Sequence, residues 1–158
     1  MGAIEMRLGE LGIDLPTKVA GGHGLIPVVR HGGLLFVSGH GPNANDGTLL
    51  YRGRLGSEVS TEDGYQAARA AGIQLLRTLR DYLGDLDRVD RVVKALGFVN
   101  SAPDFHDQPA VMHGFSDLMV QVFGARRGQH ARSAIGTSNL PGNQSVEIEL
   151  IVAARNEA

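Results

Sequence analysis

Near its C-terminus the chain reads Ser145-Val146-Glu147-Ile148-Glu149-Leu150-Ile151-Val152-Ala153. Val146, Ile148, Leu150 and Val152 alternate with Ser145, Glu147, Glu149 and Ile151. Successive side chains of a β-strand point to opposite faces, so this alternation predicts a strand with one apolar face and one face that carries acids. We expect helices to cover the apolar face.

Two helical segments upstream have the apolar stripes that such a face requires. The first begins at Ser60, whose hydroxyl caps a free amide, and runs to about Leu83 before Gly84. The second is expected from about Asp107, with a proline in its first turn, to the residue before Gly124. The stripes are Tyr65, Ala68, Gly72, Leu75, Leu76, Leu79 and Leu83, and then Val111, Met112, Phe115, Leu118, Met119, Val122 and Phe123.

Four more segments predict the rest of the sheet. Residues 25–31 and 34–39 flank Gly32-Gly33, a dipeptide that adopts the positive φ angles of a tight hairpin turn. Residues 89–99 are rich in β-branched and apolar side chains, and residues 131–137 precede the last strand. The predicted order is ββαβαββ, an α+β sandwich with two helices on one face of a mixed β-sheet.

Length and composition bound the class of protein. A chain of 158 residues fits a single domain, here with an N-terminal helical extension over about residues 1–20. Its first 15 residues mix charged and apolar types, so we expect neither a signal peptide nor a membrane anchor. Cysteine is absent, which excludes disulfides and fits a reducing cytoplasm, the expected location. The formal net charge of -2 argues against a nucleic-acid partner.

Two residues near the C-terminus are candidates for chemistry. The planar guanidinium of Arg132 can donate two parallel hydrogen bonds to a carboxylate, and its small neighbours Ser133 and Ala134 leave room for a ligand. The alternative is a structural or interfacial salt bridge. Glu147 can orient a water molecule for attack on a substrate carbon, or it can be an ordinary exposed carboxylate, as we assume for Glu149.

Further candidates lie elsewhere in the chain. Ser38-Gly39-His40-Gly41 allows a ligand to approach the backbone closely, although the same residues also suit a strand end and a turn. His40 and His113 can act as proton carriers or ligand donors, or they can be polar residues satisfied by hydrogen bonds. The histidines show no HxH or HExxH spacing, so no metal site is predicted.

These residues together resemble the Rid family, the reactive intermediate deaminases that are also called YjgF-like or L-PSP proteins. The resemblance covers about residues 27–152. It rests on the strand Leu34-Leu35-Phe36-Val37-Ser38-Gly39, the helix-strand passage over residues 85–99, Ala131-Arg132-Ser133, and Leu140-Pro141 before Val146-Glu147-Ile148-Glu149.

The resemblance implies a chorismate-mutase-like fold and a homotrimer with clefts between its subunits. It implies hydrolysis of small 2-enamino or 2-imino acids to 2-keto acids and ammonia, without a cofactor. In that reading Arg132 binds the substrate carboxylate, Glu147 holds or polarises the attacking water, and the Ser38-Gly39 backbone contacts the ligand. Ala134, a further expected ligand contact, stands where the family's deaminases often carry cysteine.

The chain departs from the deaminase pattern at further places, and its long insertion over residues 41–59 also differs, which indicates a divergent subgroup. No tyrosine precedes Tyr51, whereas the deaminases carry one in the first strand, here Gly24-Leu25-Ile26-Pro27. The deaminases also carry an asparagine on the second helix, and the matching position here is around Met112-His113, where this chain has no asparagine. A non-catalytic trimer that binds a small carboxylate metabolite therefore stands as the alternative function. A ribonuclease, which the resemblance also allows, is disfavoured by the acidic balance.

The spacing between Arg132 and Glu147 constrains any shared pocket. If the last two strands formed a tight hairpin about Gly142-Asn143, Arg132 would lie opposite Ala153 and roughly 20 Å from Glu147. The two residues could not then share one ligand within that hairpin. Either the strands pair in another way, or the pocket combines the two residues from different subunits.

Overall fold

The computed structural model describes residues 2–15 and 24–155. In chain order its elements are α1 (Ala3–Glu10), β1 (Val28–His31), β2 (Leu34–His40), α2 (Thr61–Leu83), β3 (Val89–Asn100), α3 (Gln108–Gly128), β4 (Ala131–Thr137) and β5 (Val146–Ala154). After α1 this is the predicted ββαβαββ order. The predicted N-terminal extension contains α1, which buries Ile4 and Leu8, and its residues 16–20 lie outside the described residues.

The five strands form one mixed sheet in the order β1-β2-β5-β3-β4. The first three pairings are antiparallel, whereas β4 lies parallel to β3. The parallel pair follows from the connection, because α3 carries the chain back along the sheet between β3 and β4. The last two strands are therefore separated by β3 and do not form a hairpin.

The first hairpin is confirmed with a shorter first strand. His31 pairs with Leu34 across a two-residue turn, and Gly32 there has a φ of 58°. The prediction that the strand begins at Leu25 is wrong, because β1 begins at Val28. Pro27 has no N–H to donate to a neighbouring strand, so the ladder begins after it.

The two long helices cover one face of the sheet, as predicted. Ser60 caps α2 by accepting a hydrogen bond from the Asp63 amide at 3.1 Å. Gly124, the expected end of the second helix, has a φ of 74° and interrupts α3, but helical turns resume and the helix ends at Gly128. The largest buried side chains between helices and sheet include Leu75, Leu76, Leu79, Met112, Phe115, Leu118, Ile148 and Leu150.

A close backbone contact between α2 and α3 is made through Gly114 of α3. A Cβ atom at this position would overlap the main-chain carbonyl oxygen of Tyr65 on α2. Backbone therefore packs against backbone where the two helices meet, and this contact holds them close enough to share one apolar layer over the sheet.

The opposite face of the sheet carries no helix in the described residues. Val29, Phe36 and Ile135 lie on this face and are 47%, 42% and 48% exposed. Glu147 and Glu149 share the face through their pairing with Phe98 and Leu96. Among the described residues, no helix is both long enough and apolar enough to cross a bilayer.

Candidate functional site

A β-bulge interrupts the pairing of β2 with β5. Val37 pairs with Leu150 and His40 with Ile148, so Ser38 and Gly39 together stand opposite Glu149. A bulge bends its strand and re-aims the residues within it. The Ser38 hydroxyl donates to the carbonyl of Ile26 at 3.1 Å, which fixes one side of the bulge.

The carboxyl group of Glu147 lies directly against Gly39. A Cβ atom at Gly39 would overlap Glu147 Oε1, so this close approach requires glycine. Gln144 Nε2 donates to Glu147 Oε2 at 2.6 Å, and Gln144 itself is only 9% exposed. Together, Ser38, Gly39, Gln144 and Glu147 form what we call the Glu147 half-site.

Burial raises the pKa of Glu147 above its usual value. The hydrogen bond from Gln144 opposes this shift, and the negative charge of Glu149 adds to it. A carboxyl group with a raised pKa exchanges protons closer to neutral pH than an exposed glutamate does.

The raised pKa has a consequence for stability. When the pKa of a carboxyl group is higher in the folded protein than in the unfolded chain, its protonation stabilises the folded state. This stabilisation is complete at pH values below the unfolded-state pKa, and it is lost as the pH rises through the folded-state pKa. We therefore expect Glu147→Gln to raise the Tm at pH 7, and the gain to vanish below about pH 4. Thermal unfolding between pH 3.5 and 8 measures this, with Glu62→Gln, at an exposed glutamate away from Glu147, as control. Equal gains in both variants at every pH would contradict the prediction.

Arg132 forms a second group of contacts on the helix-facing side of β4, where it pairs with the buried Ala95. Its Nη1 donates to Ser116 Oγ at 3.0 Å and its Nη2 to the Pro109 carbonyl at 3.3 Å, both on α3. These contacts leave part of its donor capacity free, and Arg132 makes no ion pair within residues 2–15 and 24–155. It lines a cavity of about 500 Å³ together with His130 and other residues.

A hydrogen-bond chain through His130 and Ser116 lies behind Arg132. The Gly128 carbonyl can only accept, so His130 Nδ1 donates to it at 2.7 Å, and Nε2 lies 3.1 Å from the Ser116 hydroxyl oxygen. Burial lowers the pKa of His130, the Gly128 bond opposes the shift, and the charge of Arg132 adds to it. The positive charge of this Arg132 half-site (Ser116, His130 and Arg132) therefore resides on the arginine.

The remaining candidates divide between the two half-sites. Ala134 pairs with Gly97 on the same sheet side as Arg132. His113 is exposed, and its helical spacing from Pro109 and Ser116 places it on the same stripe of α3 as the two acceptors of Arg132. His40 has both ring nitrogens engaged, at 2.7 Å from the Ser38 carbonyl and 2.7 Å from the Thr78 hydroxyl.

The two half-sites are separate within one chain. Arg132 pairs with Ala95 of β3, and Ala95 pairs on its other side with Leu150 of β5. Leu150 is three residues from Glu147 along β5. Strand spacings place the two Cα atoms roughly 14 Å apart. The side chains also lie on opposite faces of the sheet, so one chain does not bring them onto one small ligand.

Sequence reasoning missed Gln144, Ser116 and His130 as members of these half-sites. Gln144 follows a turn, and nothing in its neighbours signals a bond to Glu147. His130 stands two positions before Arg132, and strand periodicity places such residues on one side, so this signal was available. In the described residues, no group of three histidine or acidic side chains is placed to hold a metal ion.

The sequence profile of one protein family matches residues 5–153, almost the whole chain. That family is described as "YjgF/chorismate_mutase-like, putative endoribonuclease". The chain belongs to the YjgF family. The resemblance to the YjgF-like, or Rid, proteins is thereby confirmed, and the α+β architecture with its mixed five-stranded sheet matches the chorismate-mutase-like fold of the family.

Several known proteins are similar to this chain over nearly their whole length. Protein TCP17 of Trypanosoma cruzi is 41% identical over 155 residues, which cover 98% of this chain and 96% of that protein. The crystal structure of Atu1372 from Agrobacterium tumefaciens has a TM-score of 0.87 at 38% identity. The match covers 96% of this chain and 94% of Atu1372. The crystal structure of a protein from Shewanella oneidensis, described as a "putative endoribonuclease", has a TM-score of 0.90 at 28% identity. The match covers 96% of this chain and 99% of that protein.

Proposed function

We propose that this protein hydrolyses small 2-enamino or 2-imino acids to 2-keto acids and ammonia, without a cofactor, in a cleft between the subunits of a homotrimer. The observation that carries the proposal is the Glu147 carboxyl, held against Gly39 at a bulge with its pKa raised by burial. Such a group accepts a proton from water more readily than an exposed glutamate does and can return it to a leaving amine.

The separation of the half-sites supports a cleft made by two subunits. Arg132 has free donor capacity at the sheet edge, whereas Glu147 lies on the helix-free face with Phe36 and Ile135. Exposed apolar residues on a sheet face are typical of a surface that another subunit covers. A second copy packed on this face would bring its own Arg132 toward Glu147, which a single chain does not do.

The proposed reaction assigns one step to each group. With 2-aminoacrylate, a proton from solvent adds at C3 and a proton leaves the nitrogen to solvent, which gives the 2-imino acid, whose carboxylate Arg132 holds by two parallel hydrogen bonds. A water oxygen then bonds to C2 while Glu147 accepts a proton from that water. Glu147 passes this proton to the nitrogen, which gives a carbinolamine. The remaining proton of the C2 hydroxyl then moves through Glu147 to the amine nitrogen while the C–N bond breaks and a C=O bond forms at C2, so that pyruvate and ammonia leave. The backbone at Ser38-Gly39 holds the reacting group in place.

A direct assay tests this proposal. The purified protein is incubated with freshly generated 2-aminoacrylate, and pyruvate and ammonia are measured against buffer alone. We expect equal amounts of the two products to form faster than in buffer. The absence of any acceleration would reject the deaminase function.

The contact between Gly39 and Glu147 supplies a sharper variant. Gly39→Ala places a methyl group where the Glu147 carboxyl lies, so the carboxyl must move. A displacement of about 1 Å costs on the order of 10²-fold in rate, so we expect kcat/KM to fall by about that factor. Gly33→Ala is the matched control, because a Cβ atom at Gly33 meets nothing within 4 Å. Unchanged turnover in a folded Gly39→Ala protein would show that Glu147 takes no part in the reaction.

A non-catalytic binder of small carboxylates is the second candidate function. His40, which follows Gly39 at the bulge, has both ring nitrogens engaged within the described residues, so it is not a free second proton carrier beside Glu147. Thermal-shift measurements with pyruvate and serine, read beside turnover, separate the two functions. A shift without turnover favours the binder, and RNA that stays intact with purified protein excludes a ribonuclease.

A further inference from the structure

We propose that a cavity between α2 and the loop after β2 is a second ligand site, which binds a small oxyanion through the guanidinium of Arg77. The cavity has a volume of about 330 Å³ and is lined by His40, Asn43, Gln74 and Arg77, with backbone from Gly39 and Gly47. This size suits a small metabolite. The proposal is independent of the deaminase function and of the Arg132 half-site.

Arg77 carries the argument because its Nε is buried and has no hydrogen-bond partner among the described residues. The side chain also makes no ion pair within residues 2–15 and 24–155. Leaving a buried charged donor unsatisfied is costly, and a carboxylate or phosphate oxygen would remove that cost with parallel hydrogen bonds. By contrast, Arg69 on the same helix donates to Gln121 at 2.9 Å.

The other polar groups of the cavity favour an anion of low charge. None of the lining residues is acidic, and Arg77 is the only arginine or lysine among them. The Ser38 carbonyl can only accept, so His40 Nδ1 donates to it at 2.7 Å, and Nε2 lies 2.7 Å from the Thr78 hydroxyl oxygen, which leaves neither ring nitrogen free for a ligand. Burial lowers the pKa of His40, the Ser38 bond opposes this, and the charge of Arg77 adds to it.

Gln74 provides a second donor beside the guanidinium. Its side chain is buried, and its Nε2 donates to the Asn43 carbonyl at 2.8 Å. A primary amide has two N–H groups, so one remains for a ligand. The bond to Asn43 also ties α2 to the loop, which sets the width of the cavity.

The loop that roofs the cavity is held by its own hydrogen bonds. Asn43 and Leu49 form an isolated bridge, the Ala44 amide donates to the Thr48 carbonyl at 2.8 Å, and Asn43 Nδ2 donates to the Gly47 carbonyl at 3.0 Å. The cavity is therefore formed before a ligand enters, and binding requires little ordering of the chain.

The site lies on the helix-facing side of β2, whereas Glu147 lies on the other face. Gly39 lines this cavity and also contacts Glu147, so the bulge is the wall between the two sites. A ligand at Arg77 therefore need not compete with a ligand held by Glu147.

Binding is tested by NMR on the whole protein labelled with ¹⁵N. Acetate and inorganic phosphate are titrated separately at constant ionic strength, with chloride as the balancing salt, so the two arms distinguish a carboxylate from a phosphate. We expect saturable shifts of the Gly39, Ala44 and Gly47 amides with at least one of the two anions. Shifts that do not saturate, or none with either anion, would overturn the proposal.

Variants assign the binding to Arg77. Arg77→Gln should weaken the affinity at least about 10-fold, whereas Arg126→Gln, the same charge change at an exposed position, should not. Ala44→Leu fills the cavity while keeping Arg77, so it should also weaken binding. Arg132→Ala should leave the shifts intact, which separates this site from the proposed active site. Binding that survives both Arg77→Gln and Ala44→Leu would refute it.

Discussion

Mixed oligomers of Arg132→Ala and Glu147→Gln subunits should recover about one quarter of the wild-type turnover, although each variant alone is nearly inactive. Losing the charged hydrogen bonds to the substrate carboxylate costs about 4 kcal/mol, which is roughly 10³-fold in kcat/KM. In a random mixture, a shared cleft receives an intact Arg132 from one subunit and an intact Glu147 from its neighbour in about one case in four.

This recovery depends only on the cleft being shared, and it holds for any ring of identical subunits. If one subunit supplied both residues, every site in the mixture would lack either Arg132 or Glu147. The two variants are unfolded together and refolded, hybrid formation is verified by mass spectrometry, and pyruvate production is measured. As a control, Arg132→Ala subunits mixed with the double variant should stay inactive. A mixture that contains hybrids but no activity above the single variants would reject the shared cleft.

Replacing Gly114 with alanine should lower the free energy of unfolding by about 3 kcal/mol. The added methyl group overlaps the Tyr65 carbonyl oxygen and lies 3.2 Å from the Arg69 amide nitrogen. Both atoms belong to the backbone of α2, so the strain cannot be relieved by a side-chain rotation, and the two helices must separate. That separation disturbs the packing of Phe115 and its neighbours between helices and sheet.

Urea unfolding of Gly114→Ala beside Gly9→Ala measures this effect. Gly9 also lies in a helix, but a Cβ atom there meets nothing within 4 Å. Alanine has the higher helix propensity, so the control should be neutral or more stable by up to about 1 kcal/mol. An unfolding midpoint of Gly114→Ala at or above that of the wild type would show that the helix crossing tolerates the methyl group.

The sequence was sufficient to predict those elements whose local pattern agrees with their final environment. Ser60 and the stripe that follows it predicted α2, and the alternation after Ser145 predicted which face of β5 is buried. Both patterns show which side chains are buried, because side chains return to the same face of a helix every 3.6 residues and to the same face of a strand every two residues.

Neighbour relations and side-chain direction in β4 could not be predicted in the same way. Alternation shows which face of a strand is apolar but not which strand lies beside it, so the position of β3 between β4 and β5 was not available. Residues 131–137 are all intermediate or exposed, so no pattern indicated that Arg132 points toward α3. The bond from Gln144 to Glu147 depends on the turn that precedes β5, which local sequence does not define.

The position of β4 also determines the order in which the molecule assembles. In the described sheet its sole strand partner is β3, and the two can pair only after the whole of α3 has crossed between them. That connection joins Lys94 to Ala131, whereas the pairings of β5 join Ala95 to Leu150 and Phe36 to Ile151, so β5 closes much longer loops than β4 does. Pairings that close longer loops tend to form later in folding. We therefore expect β4 with Arg132 to be in place early, and the strand that carries Glu147 to complete the sheet in one of the final steps.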